Sequence, residues 1–320
     1  MNRNPGTWRG AFDVSPNGLL VYQSGNTARA SQLLWLAPGS KAPVRVAEND
    51  NYRELALSPD GRRLAVTIGS PHAELWIYDL ARGIKSRLTF TDAGFITKAA
   101  WAPDAAHVAF SQVGSSGAKL YVKEAGGSGK QEELILPGTV LSELDDWSKD
   151  GQYLLFHAAV PPGPFSLYVV PIKGERKPKP FLQTAFLPPL GTHFSPDSKW
   201  VAYLSSESGS IEAYVTHFPD ASGKWQISVD GAHAVRWFPN GQALLYERTD
   251  GTLVKVPFSV HGRNPEIGAA KLYLTAHPRV TTFGEAWDLA ADGRVIVNTD
   301  IADVTHTINV VINWTSALKR

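Results

Sequence analysis

The chain has 320 residues, of which 43% are hydrophobic and 19% charged, so it can form a large apolar core and we do not expect extensive disorder. Its 31 basic residues balance 30 acidic ones, and a net charge of +1 gives no electrostatic case for binding nucleic acid. The absence of cysteine excludes disulfides and thiolate chemistry, and the absence of an 18-residue apolar run predicts no membrane insertion.

One four-residue pattern recurs along the whole chain. In chain order its copies are Ser15–Gly18, Ser58–Gly61, Ala102–Ala105, Ser148–Gly151, Ser195–Ser198, Phe238–Gly241 and Ala290–Gly293, whose first residues are 43, 44, 46, 47, 43 and 52 residues apart. A period of this size is typical of proteins in which each repeat is one supersecondary unit that packs on its neighbours.

The second copy shows most clearly what one repeat contains. Leu55–Leu57 is a short apolar strand, and Ser58–Gly61 has the proline, aspartate and glycine of a type I turn followed by a left-handed residue. Leu64–Ile68 returns, Glu74–Tyr78 alternates as a third strand, and Ser86–Phe90 is a fourth. Four short antiparallel strands in each repeat predict the blade of a β-propeller.

Seven such turns predict an all-β fold, a seven-bladed propeller of four-stranded antiparallel blades that occupies residues 1–320 as a single domain. Six blades is the alternative. Leu33–Leu36 is assigned as the third strand of the first blade. The seventh repeat has no fourth strand, so we predict a three-stranded last blade with Asn309–Trp314 near its outer edge. Met1–Arg9 contains Pro5 and is a weak candidate for an added strand.

A large apolar residue stands directly before each turn and is predicted to pack between neighbouring blades. These residues are Val14, Leu57, Trp101, Trp147, Phe194, Trp237 and Leu289.

The residue one position earlier is predicted to face the central channel. In chain order these residues are Asp13, Ala56, Ala100, Asp146, His193, Arg236 and Asp288. Glu143, Asp145 and Glu285 at strand starts, and His157 at the end of a second strand, lie near them in the same register. The candidate ligand-binding residues at the channel mouth are therefore Asp13, Glu143, Asp145, Asp146, His157, His193, Arg236, Glu285 and Asp288. The alternative is that these groups face channel water or pair with one another, for example Asp146 with His193 or Arg236.

No catalytic motif is found, so we predict a protein without catalytic residues, bound metal or cofactor. Glu143, Asp145 and Asp146 beside His157 and His193 would suit a divalent cation, but the histidines belong to different repeats. The competing interpretation is a hydrolase or lyase, which requires Asp146, His157, His193 and Arg236 to converge with perturbed pKa values. A third is a domain that only stabilises a larger chain.

The turns, together with Leu75–Leu80 and Ser86–Phe90, resemble the WD-like repeats of TolB-type propellers over nearly the whole chain. Lys179–Gln183, Trp200–Tyr203 and Gly223–Ile227 are similar to the propeller that follows the kinase domain in bacterial receptor-like serine/threonine kinases. This resemblance implies a non-catalytic sensing or docking module that binds a protein, peptide or small ligand outside the cytoplasm. The chain has no kinase motif and shows no signal peptide, so a cytoplasmic location is the alternative.

Overall fold

The computed structural model describes residues 12–15, 19–24, 30–40, 42–69, 72–91, 94–115, 117–134, 136, 140–159, 165–183, 190–281, 286–301, 307–312 and 314. These residues form antiparallel strands and no α-helix, which confirms the all-β class. Within these ranges there is accordingly no helix of the length and hydropathy that crossing a membrane requires.

The strands follow one another at short intervals. In chain order they are β1 (Phe12–Val14), β2 (Leu19–Ser24), β3 (Ser31–Leu36), β4 (Val44–Arg45), β5 (Tyr52–Leu57), β6 (Arg63–Ile68), β7 (Glu74–Asp79), β8 (Ile84–Arg87), β9 (Phe95–Trp101), β10 (His107–Gly114), β11 (Gly117–Glu124), β12 (Glu132–Leu134), β13 (Val140–Trp147), β14 (Tyr153–Ala159), β15 (Phe165–Pro171), β16 (Lys179–Leu182), β17 (Leu190–Phe194), β18 (Trp200–Ser205), β19 (Glu212–His217), β20 (Trp225–Gln226), β21 (Ala234–Trp237), β22 (Ala243–Glu247), β23 (Thr252–His261), β24 (Asn264–Ile267), β25 (Lys271–Thr275), β26 (Trp287–Leu289), β27 (Val295–Asp300) and β28 (Thr307–Ile312).

Five sheets are built from consecutive strands, as the repeat predicts. Sheet 1 contains β5 to β8, sheet 2 contains β9 to β12, sheet 3 contains β13 to β16, and sheet 4 contains β17 to β20. Sheet 5 contains β21 to β24, with β25 also paired to β23. Sheet 6 combines β26 and β27 with β3 and β4, and the terminal sheet combines β1 and β2 with β28.

The turns that connect the first and second strands of a sheet have the geometry that their residue types favour. The Ser58 hydroxyl oxygen accepts a hydrogen bond from the amide of Arg63 at 2.9 Å, and Gly61 has a φ of 68°. Ala105 and Ser198 occupy the equivalent position of their turns with φ values of 53° and 55°, a left-handed conformation that costs a side-chain-bearing residue more than glycine. The first predicted turn falls on residues 16–18, which lie outside the described residues.

Six apolar clusters close the ring. Each cluster joins one sheet to the next: sheets 1 and 2, 2 and 3, 3 and 4, 4 and 5, 5 and 6, and finally 6 and 1. Each cluster also contains one of the predicted inter-blade residues, namely Trp101, Trp147, Phe194, Trp237, Leu289 and Leu57. The prediction is therefore confirmed for these six. Val14 differs, because it lies on the terminal sheet and is 45% exposed.

The described residues form seven sheets, and six of these make up the ring, which agrees with the alternative count of six blades. The sequence pattern predicts that Leu33–Leu36 is the third strand beside the first hairpin. In the structure this segment does not pair with that hairpin. It pairs with β27, with Leu33 opposite Asn298 and Leu36 opposite Val295. Hydrogen bonding between the two ends of the chain thus completes the last blade with four strands and removes an open edge.

The predicted three-stranded sheet exists, but it contains the first hairpin instead of the last. β28 pairs with β2 and is an edge strand, so the predicted edge position of Asn309 is confirmed for this terminal sheet. No described residue of β1, β2 or β28 belongs to the six ring clusters. The proposed extra strand at residues 1–9 lies outside the described residues.

Candidate functional site: a cavity on the axis of the ring

The inner strands of the six ring sheets end around one cavity of about 380 Å³. Its lining includes the residue two positions before the turn in every one of these sheets: Ala56, Ala100, Asp146, His193, Arg236 and Asp288. The register that predicted a channel-facing side chain is confirmed at these six positions. Asp13 has the same register in its own hairpin, but it lies exposed on the terminal sheet and does not line the cavity. Glu285 lies outside the described residues.

The turns that follow the inner strands form an apolar mouth to the cavity, a feature that the sequence pattern did not indicate. Pro59, Pro103, Pro196 and Pro239 stand at the second position of four turns, and all four line the cavity. The turns touch one another: a Cβ added at Gly151 would lie 3.3 Å from Cγ of Pro103 on the preceding turn. The sequence pattern indicates these prolines only as turn formers, but they also contribute apolar surface to the lining at the opening.

Two of the predicted ligand-binding carboxylates hold neighbouring sheets together. Oδ2 of Asp146 accepts a hydrogen bond from the amide of Phe194 on the next sheet at 2.9 Å. In the same way, Oδ2 of Asp288 accepts one from the amide of Leu57 at 2.8 Å. These bonds to backbone amides of the next sheet are a role that the sequence did not indicate for either carboxylate.

Asp146 also contacts two side chains at the cavity. The Lys149 ammonium donates to Oδ1 at 3.0 Å, and Nδ1 of His193 lies 3.7 Å from Oδ2. Although burial favours the neutral acid, Lys149 and His193 lower the pKa of Asp146 well below its usual range. The carboxylate is therefore ionised under all ordinary conditions.

A β-bulge gives Asp145 its own set of partners. The pairing of β13 with β14 shifts between Leu144 and Asp146, and such a bulge re-aims the extra residue. As a result Asp145 lines the cavity beside Asp146, and its Oδ2 contacts Nδ1 of the buried His157. Its Oδ1 also lies 3.3 Å from Nζ of Lys98 on the neighbouring sheet. Burial opposes ionisation, but His157 and Lys98 lower the pKa of Asp145.

Arg236 lines the cavity on the side across from β9, and only 6% of its side chain is exposed. The guanidinium donates to the carbonyl oxygens of Val235 and Trp287 at 2.9 and 3.4 Å, and Nε lies 3.7 Å from Oδ1 of Asp288. Burial lowers the pKa of Arg236, while Asp288 works against this effect. Burial and the nearby Arg236 cation together lower the pKa of His193 to about 4, so its imidazole is neutral at pH 7.

Two glutamates with raised pKa values lie close to this region but do not line the cavity. Burial, with the neighbouring Asp145 charge, raises the pKa of Glu143 to about 8. Burial also raises the pKa of Glu247 to about 7, although its hydrogen bond from the Trp287 indole at 2.8 Å and the Arg236 charge oppose the change. The sequence indicated Glu143 but not Glu247, which lies on the second strand of its sheet.

Five of the predicted site residues therefore line the cavity: Asp145, Asp146, His193, Arg236 and Asp288. His157 is not part of the lining, but its Nδ1 contacts Asp145, which is. Across the described ranges, no three or more Asp, Glu or His side chains are grouped in a way that could hold a metal ion. Asp145 and Asp146 instead contact His157, His193, Lys98 and Lys149.

Comparison with known proteins agrees with this architecture. Neither a protein-family model nor a curated protein sequence matches the chain. Among solved structures, a putative TolB from Agrobacterium tumefaciens is similar at 16% identity with a TM-score of 0.64, covering 85% of this chain and 98% of that one. The chain has a TolB-like propeller fold. TolB from Acinetobacter baumannii is also similar, at 16% identity and a TM-score of 0.58, with 77% of this chain and 67% of that chain covered.

An enzyme shares the fold as well. An oligogalacturonate lyase in complex with manganese is similar at 12% identity with a TM-score of 0.54, covering 82% of this chain and 81% of that one. At these identities the likeness establishes the fold alone, so the function has to be argued from the cavity.

Proposed function

We propose that this chain is a non-catalytic binding module that takes a short peptide segment of a partner protein into the axial cavity. The observation that carries the proposal is the combination of one cavity lined by all six inner strands, an apolar mouth and a charged floor. Sites that bind peptides or small ligands are commonly concave and largely apolar, with a few fixed polar groups that set orientation.

The protonation states of the lining groups favour binding over acid–base catalysis. A general acid or base works best when its pKa is near the working pH. His193 has a pKa near 4 and Asp146 a still lower one, so neither exchanges a proton readily at pH 7. Glu143 and Glu247 have suitable pKa values, but neither of them lines the cavity.

The test is selection of ligands followed by a matched pair of variants. A phage-displayed library of random linear peptides is panned against the protein, and the affinities of the selected peptides are measured by fluorescence polarisation. Pro59→Trp adds a bulky side chain at the cavity mouth and should weaken binding at least tenfold. Ala81→Trp places the same side chain on an exposed outer turn of the same sheet and should leave affinity unchanged.

Two results would contradict the proposal. One is that no peptide is selected. The other is that selected peptides bind both variants equally, which would place their site away from the axis.

A second candidate function, a hydrolase or lyase, is favoured by one observation: three of the four residues that it requires, Asp146, His193 and Arg236, line the same cavity. Incubation of the selected peptides with the protein, followed by mass spectrometry, tests it. Cleavage that is lost in His193→Ala would support this candidate, and intact peptides would count against it.

We also propose, from the sequence resemblance to receptor-like kinase propellers, that the module acts outside the cytoplasm of a bacterium as the sensing part of a longer chain. Cell fractionation and mass measurement of the endogenous protein test this. The expected result is an extracytoplasmic module attached to a kinase, and a free cytoplasmic protein of 320 residues would refute it.

A further inference from the structure

We propose that β28 is a surface for self-association, at which β28 of a second copy of this chain pairs antiparallel and joins two terminal sheets into one six-stranded sheet. The interface lies outside the ring and does not depend on the proposed function of the axial cavity.

β28 has the composition of a central strand, although it lies at the edge of the terminal sheet. Four of its six residues are isoleucine or valine, and it contains neither a charged residue nor proline. Apolar runs of this kind are typical of strands that other elements cover, yet Val310 and Ile312 are 57% and 72% exposed. Within the part of the chain that the structure describes, only β2 pairs with β28. Its outer side therefore combines an open edge with exposed apolar side chains, which favours pairing with another strand.

The outer strands of the ring sheets differ, because they are protected by charge. Each outer edge strand of three or more residues carries at least one exposed charged residue: Lys85 on β8, Glu132 on β12, Lys179 on β16, Glu266 on β24 and Lys271 on β25. Charges on an edge strand oppose pairing with a second chain, since pairing would remove them from water. β28 lacks this protection.

The terminal sheet also receives little packing from the ring. Among the described elements, β1, β2 and β28 have extensive contacts only with one another. Leu19 and Val21 of β2, which lie opposite Ile312 and Val310, are only half-buried. A small sheet gains stability from additional strands when its apolar residues have few other neighbours. A second terminal sheet supplies such strands.

The residue pattern of β28 fits a two-fold axis perpendicular to the sheet. Centred on Val310, antiparallel pairing places Val310 opposite its own copy and Ile312 opposite Ile308. The even-numbered residues of both copies then share one face, and all of them are apolar. No like charges lie opposite one another. Pairing with a ring edge such as β8 would instead bring Lys85 and Arg87 against apolar residues, so β28 itself is the better partner.

The oligomeric state of the whole chain tests the inference. Analytical ultracentrifugation should show a concentration-dependent dimer of twice the 34.8 kDa mass of one chain. Val310→Lys and Val310→Glu should each weaken this dimer at least tenfold, because each places like charges opposite one another. Val44→Lys adds a charge at a 63% exposed position of another edge strand, β4, and should leave the dimer unchanged.

An equimolar mixture of the two Val310 variants separates loss of pairing from loss of folding. Lysine then faces glutamate across the two-fold axis, so the mixture should associate at least tenfold more tightly than either variant alone.

A single thiol locates the contact. The chain has no cysteine, so in Val310→Cys a short bismaleimide can link two copies only at this position. Val310→Cys should form a covalent dimer, and Val44→Cys should form at least tenfold less.

A chain that stays monomeric at every concentration would overturn the inference, whether another segment of the chain or a different protein occupies the edge. A dimer that Val310→Lys leaves intact, or that the mixed variants fail to form again, would overturn it as well, because the contact would then lie elsewhere.

Discussion

Two kinds of hydrogen bond join neighbouring sheets at the same level of the ring. Between sheets 1 and 2 and between sheets 4 and 5, an indole N–H donates across the boundary: Trp101 to the carbonyl of Ala56 at 2.9 Å, and Trp237 to that of His193 at 3.2 Å. Between sheets 3 and 4 and between sheets 6 and 1, the carboxylates of Asp146 and Asp288 accept a backbone amide instead. At these four boundaries the same level of the ring is therefore bridged by two different chemistries, and the carboxylate form makes its boundaries sensitive to charge and pH.

The largest loss of stability is expected when Asp288 is substituted. Asp288→Ala removes the acceptor for the amides of Leu57 and Leu289, and it also removes a carboxylate whose Oδ1 lies 3.7 Å from Nε of the buried Arg236. We expect a loss of about 3 kcal/mol in the free energy of unfolding, measured by urea denaturation with tryptophan fluorescence. Asp292→Ala, an exposed position of the same sheet, should change stability by less than about 0.5 kcal/mol. Equal effects of the two substitutions would show that Asp288 does not connect the sheets.

The two kinds of bond should also differ in how they make the stability of the protein depend on pH. The folded-state pKa of Asp146 is lowered, so its contribution to stability is complete above the unfolded value of about 4 and is lost as the pH falls towards the folded value. Asp146→Asn should therefore reduce the loss of stability between pH 5 and pH 3 by about 1–2 kcal/mol relative to the wild type. Denaturation curves at the two pH values measure this, and parallel losses in both proteins would be inconsistent with it.

The hydrogen bond donated by an indole N–H should contribute least to the free energy of unfolding. Trp237→Phe keeps an aromatic ring in the cluster between sheets 4 and 5 but removes the N–H donor to His193. The expected cost is about 1 kcal/mol, independent of pH between 3 and 7. A pH-dependent cost would instead connect this tryptophan to the titration of His193.

Much of this architecture could be predicted from the sequence because the turn is local. Proline, aspartate and glycine set the bend, and a fixed register then decides that Leu57 faces the neighbouring sheet and that the positions of Ala56, Asp146 and Arg236 face the axis. The repeats alone were enough to place six lining residues.

What the sequence could not indicate depends on contacts between distant parts of the chain. The pairing of Leu33 with Asn298 joins residues from the two ends, and hydrophobic pattern alone assigned Leu33 to the first repeat. Likewise, whether Asp146 binds a ligand or holds a neighbouring sheet depends on a hydrogen bond from the amide of Phe194, which belongs to the next repeat. Asp13 has the same register, but its hairpin lies outside the ring.

The most direct test of the account is to locate a bound peptide by photo-crosslinking and mass spectrometry, using a benzophenone derivative of the tightest peptide from the library. The account predicts crosslinks to the mouth and wall of the axial cavity on several sheets, at residues such as Leu57, Pro103 and Trp237. Crosslinks confined to an outer edge, for example β8 or the terminal sheet, would contradict it.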